Sequence, residues 1–353
     1  MYGKIILFIL LAVLIQYLIR LWTFLGYYKD VKYHHAPGPC RTLYEEDGAQ
    51  DLSVLKNGLA FITSGYYLAK GKVKLFDFND PRHGVEDLPM LGIDAVPNFM
   101  EHPHGISVWE HPETGVIYLY VLTHPPDQDR VEVFEFDQTK RELKYIKSIT
   151  DPLFRTMNDL VLIDIDKFYI TQIHWFKNHY LAYMEYFLLL KHGEVLFFDG
   201  MKARSVASSL HLPNGINFSP DKSLVYVAEF GSQQITVFKR NKDDSLDGIQ
   251  AVPLDSGVDN IEVDPSSGDL WVGGHPSLGK ALEYNANAGK NRTAPSQVFR
   301  MKTSKGLITD VIEVYRNNGT EISASTVATY FKGRILIGSI ASQLLLCDAK
   351  YIN

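Results

Sequence analysis

NGINFSPDKSLVYVAEF, residues 214–230, joins a polar pair to a short apolar strand, a turn of Ser, Pro, Asp and Lys, and a second apolar strand. A third strand, ITVFKR at 235–240, follows closely. Working outward in both directions, the same opening recurs as QDLSVLKNG from Gln50, HGISVWEHPETG from His104, NDLVLIDIDK from Asn158, DNIEVDPSSGD from Asp259 and STVATYFKG from Ser325. The companion second strands read LAFITSG, IYLYVLTHP, FYITQIHWF, LWVGGHP and ILIGSIA, and the third strands VKLFDFND, VEVFEFD, EVLFFDG, ALEYNA and LLLCDA. Short strands divided by turn chemistry, repeating every roughly 45 to 65 residues, suit the blades of a radial array better than a sandwich or a doubly wound sheet. Six units predict an all-β chain, a six-bladed β-propeller over residues 40–353. Helical patterning is confined to the N-terminus and to the stretch from Tyr180 to Lys191.

The first strand of a propeller blade lines the central tunnel, so the opening pairs of successive blades converge. Gln50-Asp51, His104-Gly105, Asn158-Asp159, Asn214-Gly215 and Asp259-Asn260 then face one another across a narrow channel. Taken singly, an Asn or Asp at a strand start is a turn former that bonds its own backbone. Brought together, such side chains form an oxygen-rich set of the kind calcium prefers, whereas zinc would call for more imidazole or thiolate. Bare carboxylates gathered in a tunnel would also repel one another and be costly to desolvate without a cation.

Ile5 to Ile19 is apolar except for Gln16, lies between Lys4 and Arg20, and runs on into the apolar stretch Leu21 to Tyr28. No small-residue cleavage pattern follows, which favours an uncleaved signal-anchor over residues 1–28, with 29–39 as linker, above a cleaved signal peptide. The chain would then be single-pass, with its C-terminal domain lumenal or extracellular, in the endoplasmic reticulum or plasma membrane. Two cysteines, Cys40 and Cys347, stand at the two ends of the ring, as expected of one bridge closing it, with a buried thiol pair as the alternative. Sequons at Asn291 and Asn318 suit the secretory route, while a third at Asn217 lies within an apolar strand pattern where a glycan has no access. A formal net charge of −6 gives no basic footprint for nucleic acid.

The strings QDLSVLKNGLAFITSG, HPHGIS, LPNGINFSPD, VDNIEVDPSSGDLWVGGHP and NGTEISASTVA resemble the paraoxonase/arylesterase family, and the likeness runs from about Cys40 to Cys347. The resemblance implies two calcium ions in the tunnel. One would be held by Gln50, Asn158, Asn214, Asp259 and Asn260, the other, deeper, by Asp51, Asp159 and the backbone carbonyl of Ile106. His104 and His124 match the family's pair proposed to act on water, and His174 and His275 fall at pocket positions. Two departures accompany these matches. The family carries a glutamate where this chain has Gln50, and Gln172 and Ile173 replace polar neighbours of His174. The segment at 180–191 resembles the family's helix that lies on a lipid surface.

The resemblance implies a calcium-dependent hydrolase of lactones and aryl esters, in which the metal polarises a carbonyl and histidine-activated water attacks. Gln50 also admits an alternative, a weakened relative serving as an endoplasmic-reticulum chaperone or accessory subunit of a degenerin-type channel, with a membrane protein as partner.

Overall fold

The computed structural model describes residues 2–44, 47–68, 70–94 and 96–351. Its strands form six separate antiparallel sheets arranged as the blades of a six-bladed propeller. The inner strands are Asp51–Val54, Ile106–Glu110, Met157–Asp164, Pro213–Phe218, Gly257–Val263 and Ser325–Phe331, and each neighbours the next until the last meets the first. Between blades pack layers of Phe, Leu, Ile, Val and Tyr, such as Phe61, Phe134 and Leu119 at one junction and Tyr226, Val272 and Phe299 at another.

Each blade has four strands where three were expected from the sequence; the second has a fifth, Met90–Leu91, paired parallel to Glu142–Ile149. The outermost strands escaped notice because they lack an apolar face. In Leu246–Pro253 only Leu246 is buried. ALEYNA, expected as a third strand, is instead part of a helix, Leu278–Ala286, capped by Ser277, and the third strand of that blade is Ser296–Ser304. Leu278, Ala281 and Tyr284, buried together with Gly279, recur at a helical spacing of three that short-range strand reading overlooks. The helix expected at 180–191 occupies His179–Phe187, with the Asn178 carboxamide accepting from the N–H groups of Tyr180 and Leu181.

The ring closes between its ends. The strand Cys40–Tyr44 pairs with Leu344–Asp348 and completes the sixth blade as its outer strand. Cys40 lies directly opposite Cys347, and the two form a disulfide across 307 residues of chain. In the chain-entropy account, closing a loop of that size stabilises the fold by about 5 kcal/mol.

The N-terminal helix, Tyr2–Leu25, is exposed along nearly its whole length and is about 36 Å long at 1.5 Å per residue. It is long and apolar enough to cross a membrane. Its last turn is seated on the propeller. Phe24 is buried with Leu212, Phe230 and Leu278, and its ring stacks on His211 at 5.5 Å. Beyond the helix, the Tyr27 hydroxyl donates to Glu283 at 2.6 Å, and Lys29 pairs with Asp255 at 2.8 Å. The Tyr17 hydroxyl donates to the Phe187 carbonyl at 2.7 Å, so the two apolar helices meet. All three helices gather on the side of the ring where the inner strands begin. The turns between first and second strands lie at the opposite mouth, around a cavity of about 570 Å³.

Candidate metal centre and active site

Because the polar pairs open their strands, backbone geometry delivers their side chains to the helix-bearing end of the tunnel. Gln50, Asn158, Asn214, Asp259 and Asn260 are all buried there. Two glycines permit the convergence. A Cβ on Gly105 would stand 2.6 Å from the Asp159 Cα, and one on Gly215 would stand 2.6 Å from both the Asn260 Cα and the Asp259 carbonyl oxygen. Only glycine lets the inner strands approach so closely.

The hydrogen bonds around these residues leave a consistent remainder. Asn260 Nδ2 donates to the Gln50 carbonyl at 2.9 Å, and Asp259 Oδ2 takes a hydrogen bond from His275 Nε2 at 2.8 Å. What is left over is Gln50 Oε1, Asn158 Oδ1, Asn214 Oδ1, Asp259 Oδ1 and Asn260 Oδ1, each buried and without a hydrogen-bond partner among the described residues. Buried polar atoms are nearly always satisfied, and five orphaned oxygens from the first, third, fourth and fifth blades are donors of the type a hard cation takes. Calcium fits this chemistry, one carboxylate among four carboxamides. No cluster of three or more His, Cys, Asp and Glu suited to a metal occurs among the described residues.

Asp51 and Asp159 lie one residue further into the tunnel. Asp51 Oδ2 accepts from the Ile106 N–H at 2.9 Å, and Asp159 Oδ2 from the Ile216 N–H at 2.8 Å. Burial pushes both carboxyls above the usual range, against the lowering effect of these amides. Burial likewise raises Glu262, with the Asp51 charge adding to it. Glu262 was missed in the sequence; it stands two residues after Asn260, which alternation along a strand would have indicated.

Beside the oxygen cluster, His104 Nδ1 and His124 Nε2 are 3.0 Å apart, with the Tyr66 ring packed against both imidazoles. Burial, and then the neighbouring His124, hold His104 well below the usual imidazole range. His124 Nδ1 lies 3.1 Å from Asp129 Oδ2, a buried carboxylate that nothing in the sequence pattern singled out. His174 is lowered to about 4 by burial and rests against the Tyr186 ring. Of its altered neighbours, Gln172 is bonded to Glu194 and the Arg155 amide, while Ile173 packs against the cluster of Phe24, Leu212, Phe230 and Leu278 that seats the N-terminal helix.

Asn291 and Asn318 are exposed, whereas Asn217 spends its amide on the Ile261 carbonyl.

The Arylesterase family profile matches residues 39–349, nearly the whole propeller. The chain belongs to the arylesterase family. Curated relatives of the chain include human serum paraoxonase/arylesterase 1, 36% identical over 313 residues and 86% of each chain. Human serum paraoxonase/lactonase 3 is 33% identical over 322 residues, 88% of this chain and 89% of its own. A solved gluconolactonase from Xanthomonas campestris superposes with a TM-score of 0.55 at 17% identity, over 88% of this chain and 90% of that one, a likeness of fold.

Proposed function

We propose that this chain is a calcium-dependent hydrolase of lactones and aryl esters. The observation that carries the reading is the ring of five unpartnered buried oxygens beside an imidazole pair. Gln50, Asn158, Asn214, Asp259 and Asn260 would hold one calcium ion, and Asp51, Asp159 and the Ile106 carbonyl a deeper one. A calcium ion at the upper site supplies electrophilic polarisation of the ester carbonyl. His104 accepts a proton from the attacking water, and the water oxygen bonds to the carbonyl carbon. The same proton passes to the departing alkoxide as the ester C–O bond breaks. His275 orients Asp259, and His174 with Tyr186 walls the entrance. The names of the relatives, arylesterase and lactonase, support the same substrate classes. The apolar helix, oxidised cysteine pair and exposed sequons support a single-pass topology with the propeller lumenal or extracellular.

The test uses full-length protein in detergent, assayed on phenyl acetate and a simple lactone with calcium and with excess chelator. Calcium-dependent turnover that His104→Gln abolishes is the expected result. Equal rates in calcium and chelator would overturn the reading and leave the propeller as a binding scaffold for a membrane protein partner.

A further inference from the structure

Asp129 sits in the loop that follows the second strand of the second blade, its side chain only 4% exposed. The loop is pinned on both sides. Gln128 Nε2 donates to the Asp151 carbonyl at 2.6 Å, while Arg130 pairs with Glu132 and donates to the carbonyls of Pro97 and Asn98. The carboxylate accepts from the Met157 N–H at 3.1 Å, and the half-exposed Lys177 ammonium lies 3.6 Å away. Its remaining close partner is His124 Nδ1. A carboxylate is buried at such cost only where its hydrogen bonds are fixed.

We infer that Asp129 is a positioning residue which makes the histidine pair directional. The inference rests on the hydrolase reading above and follows from counting protons. An ionised carboxylate can only accept, so His124 Nδ1 carries the hydrogen and, in the neutral ring, Nε2 carries a lone pair. That lone pair faces His104 Nδ1 at 3.0 Å, so His104 must donate from Nδ1. The free lone pair of the pair is therefore on His104 Nε2. Without Asp129 either histidine could be donor, and half of the arrangements would present an N–H to the water instead of a base. When His104 Nε2 takes the water proton, its Nδ1 proton can move to His124 Nε2, which puts the positive charge beside the Asp129 carboxylate. The reverse movement returns one proton through His104 Nε2 to the leaving alkoxide, so none is gained or lost over the cycle.

The experiment compares wild type, Asp129→Asn and Asp129→Ala in calcium and in chelator. Asn keeps an acceptor for the Met157 amide while removing the charge, so the loop is retained. With ¹⁵N-labelled histidine, the His124 signals are assigned by difference from His124→Gln, and wild type shows the Nδ1–H form. Asp129→Ala loses that preference, whereas Asp129→Asn, whose carboxamide oxygen still accepts at the position shared by the Met157 amide and His124 Nδ1, keeps it. In Asp129→Ala, kcat on phenyl acetate falls by roughly tenfold or more with KM little changed, the pattern of a mis-set imidazole. A purely structural carboxylate would lower the melting temperature and leave the tautomer alone. An unchanged His124 tautomer or an unchanged kcat in Asp129→Ala overturns the inference. If wild type hydrolyses nothing, the hydrolase reading fails, and the tautomer measurement still decides what Asp129 does.

Discussion

Gln50 brings a neutral oxygen to a ring whose only carboxylate is Asp259, and this sets how strongly the tunnel can hold a cation. Gln50→Glu adds a charged ligand, so the affinity for calcium should rise. In the absence of metal the same change adds repulsion near Asp259, Asp51 and Asp159, all of them buried. Thermal unfolding with and without chelator reads both effects. On the proposed calcium sites, the metal should raise the melting temperature of wild type, because a ligand that binds only the native state stabilises it by mass action. The variant should need several-fold less calcium for the same rise and melt lower than wild type in chelator. A wild-type melting curve indifferent to chelator would rule out calcium at both sites. The converging polar pairs were legible in the sequence because each opens a repeat unit. Asp129 was not, since its contact with His124 is made by the folding back of one irregular loop between two strands of the second blade, which periodicity does not encode.

Elements were legible in proportion to their burial. Inner and second strands announce themselves by continuous apolar runs such as LVYV and WVGG, while outer strands, wet on one side, read as polar connections. The seat of the N-terminal helix was likewise invisible, for its partners Leu212, Phe230 and Leu278 come from separate blades and connections. That seat has a pH signature. His211, stacked on Phe24, is lowered to about 4 by burial, with Lys191 adding to the effect and Glu229 opposing it. Its folded value lies below that of the unfolded chain, so between about pH 6.5 and 4 the unfolded state binds more protons. Stability is therefore full above that window and is lost as pH falls through it, by up to about 3 kcal/mol from this group. Denaturant midpoints at pH 7.5 and 5.0, compared between wild type and His211→Gln, measure the difference. Equal pH slopes in the two proteins would show that His211 is not held neutral.

At the scale of the whole molecule, the proposed single-pass topology accommodates the propeller, its exposed apolar helix and the surface sequons together. Carbonate washing should leave the full-length protein in the membrane pellet, and glycosidase should increase its mobility, with Asn291→Gln plus Asn318→Gln removing that shift. Release by carbonate would refute the anchor. Ring closure has a further consequence, one of time. The strand that completes the sixth blade is made first and its partner last, 307 residues apart. At the usual 5–20 residues per second of synthesis, Cys40 waits about 15 to 60 s before Cys347 exists. Throughout that interval the nascent chain carries an open strand edge and a lone thiol, so the maturation of this fold depends on whatever shields both until the ribosome has finished.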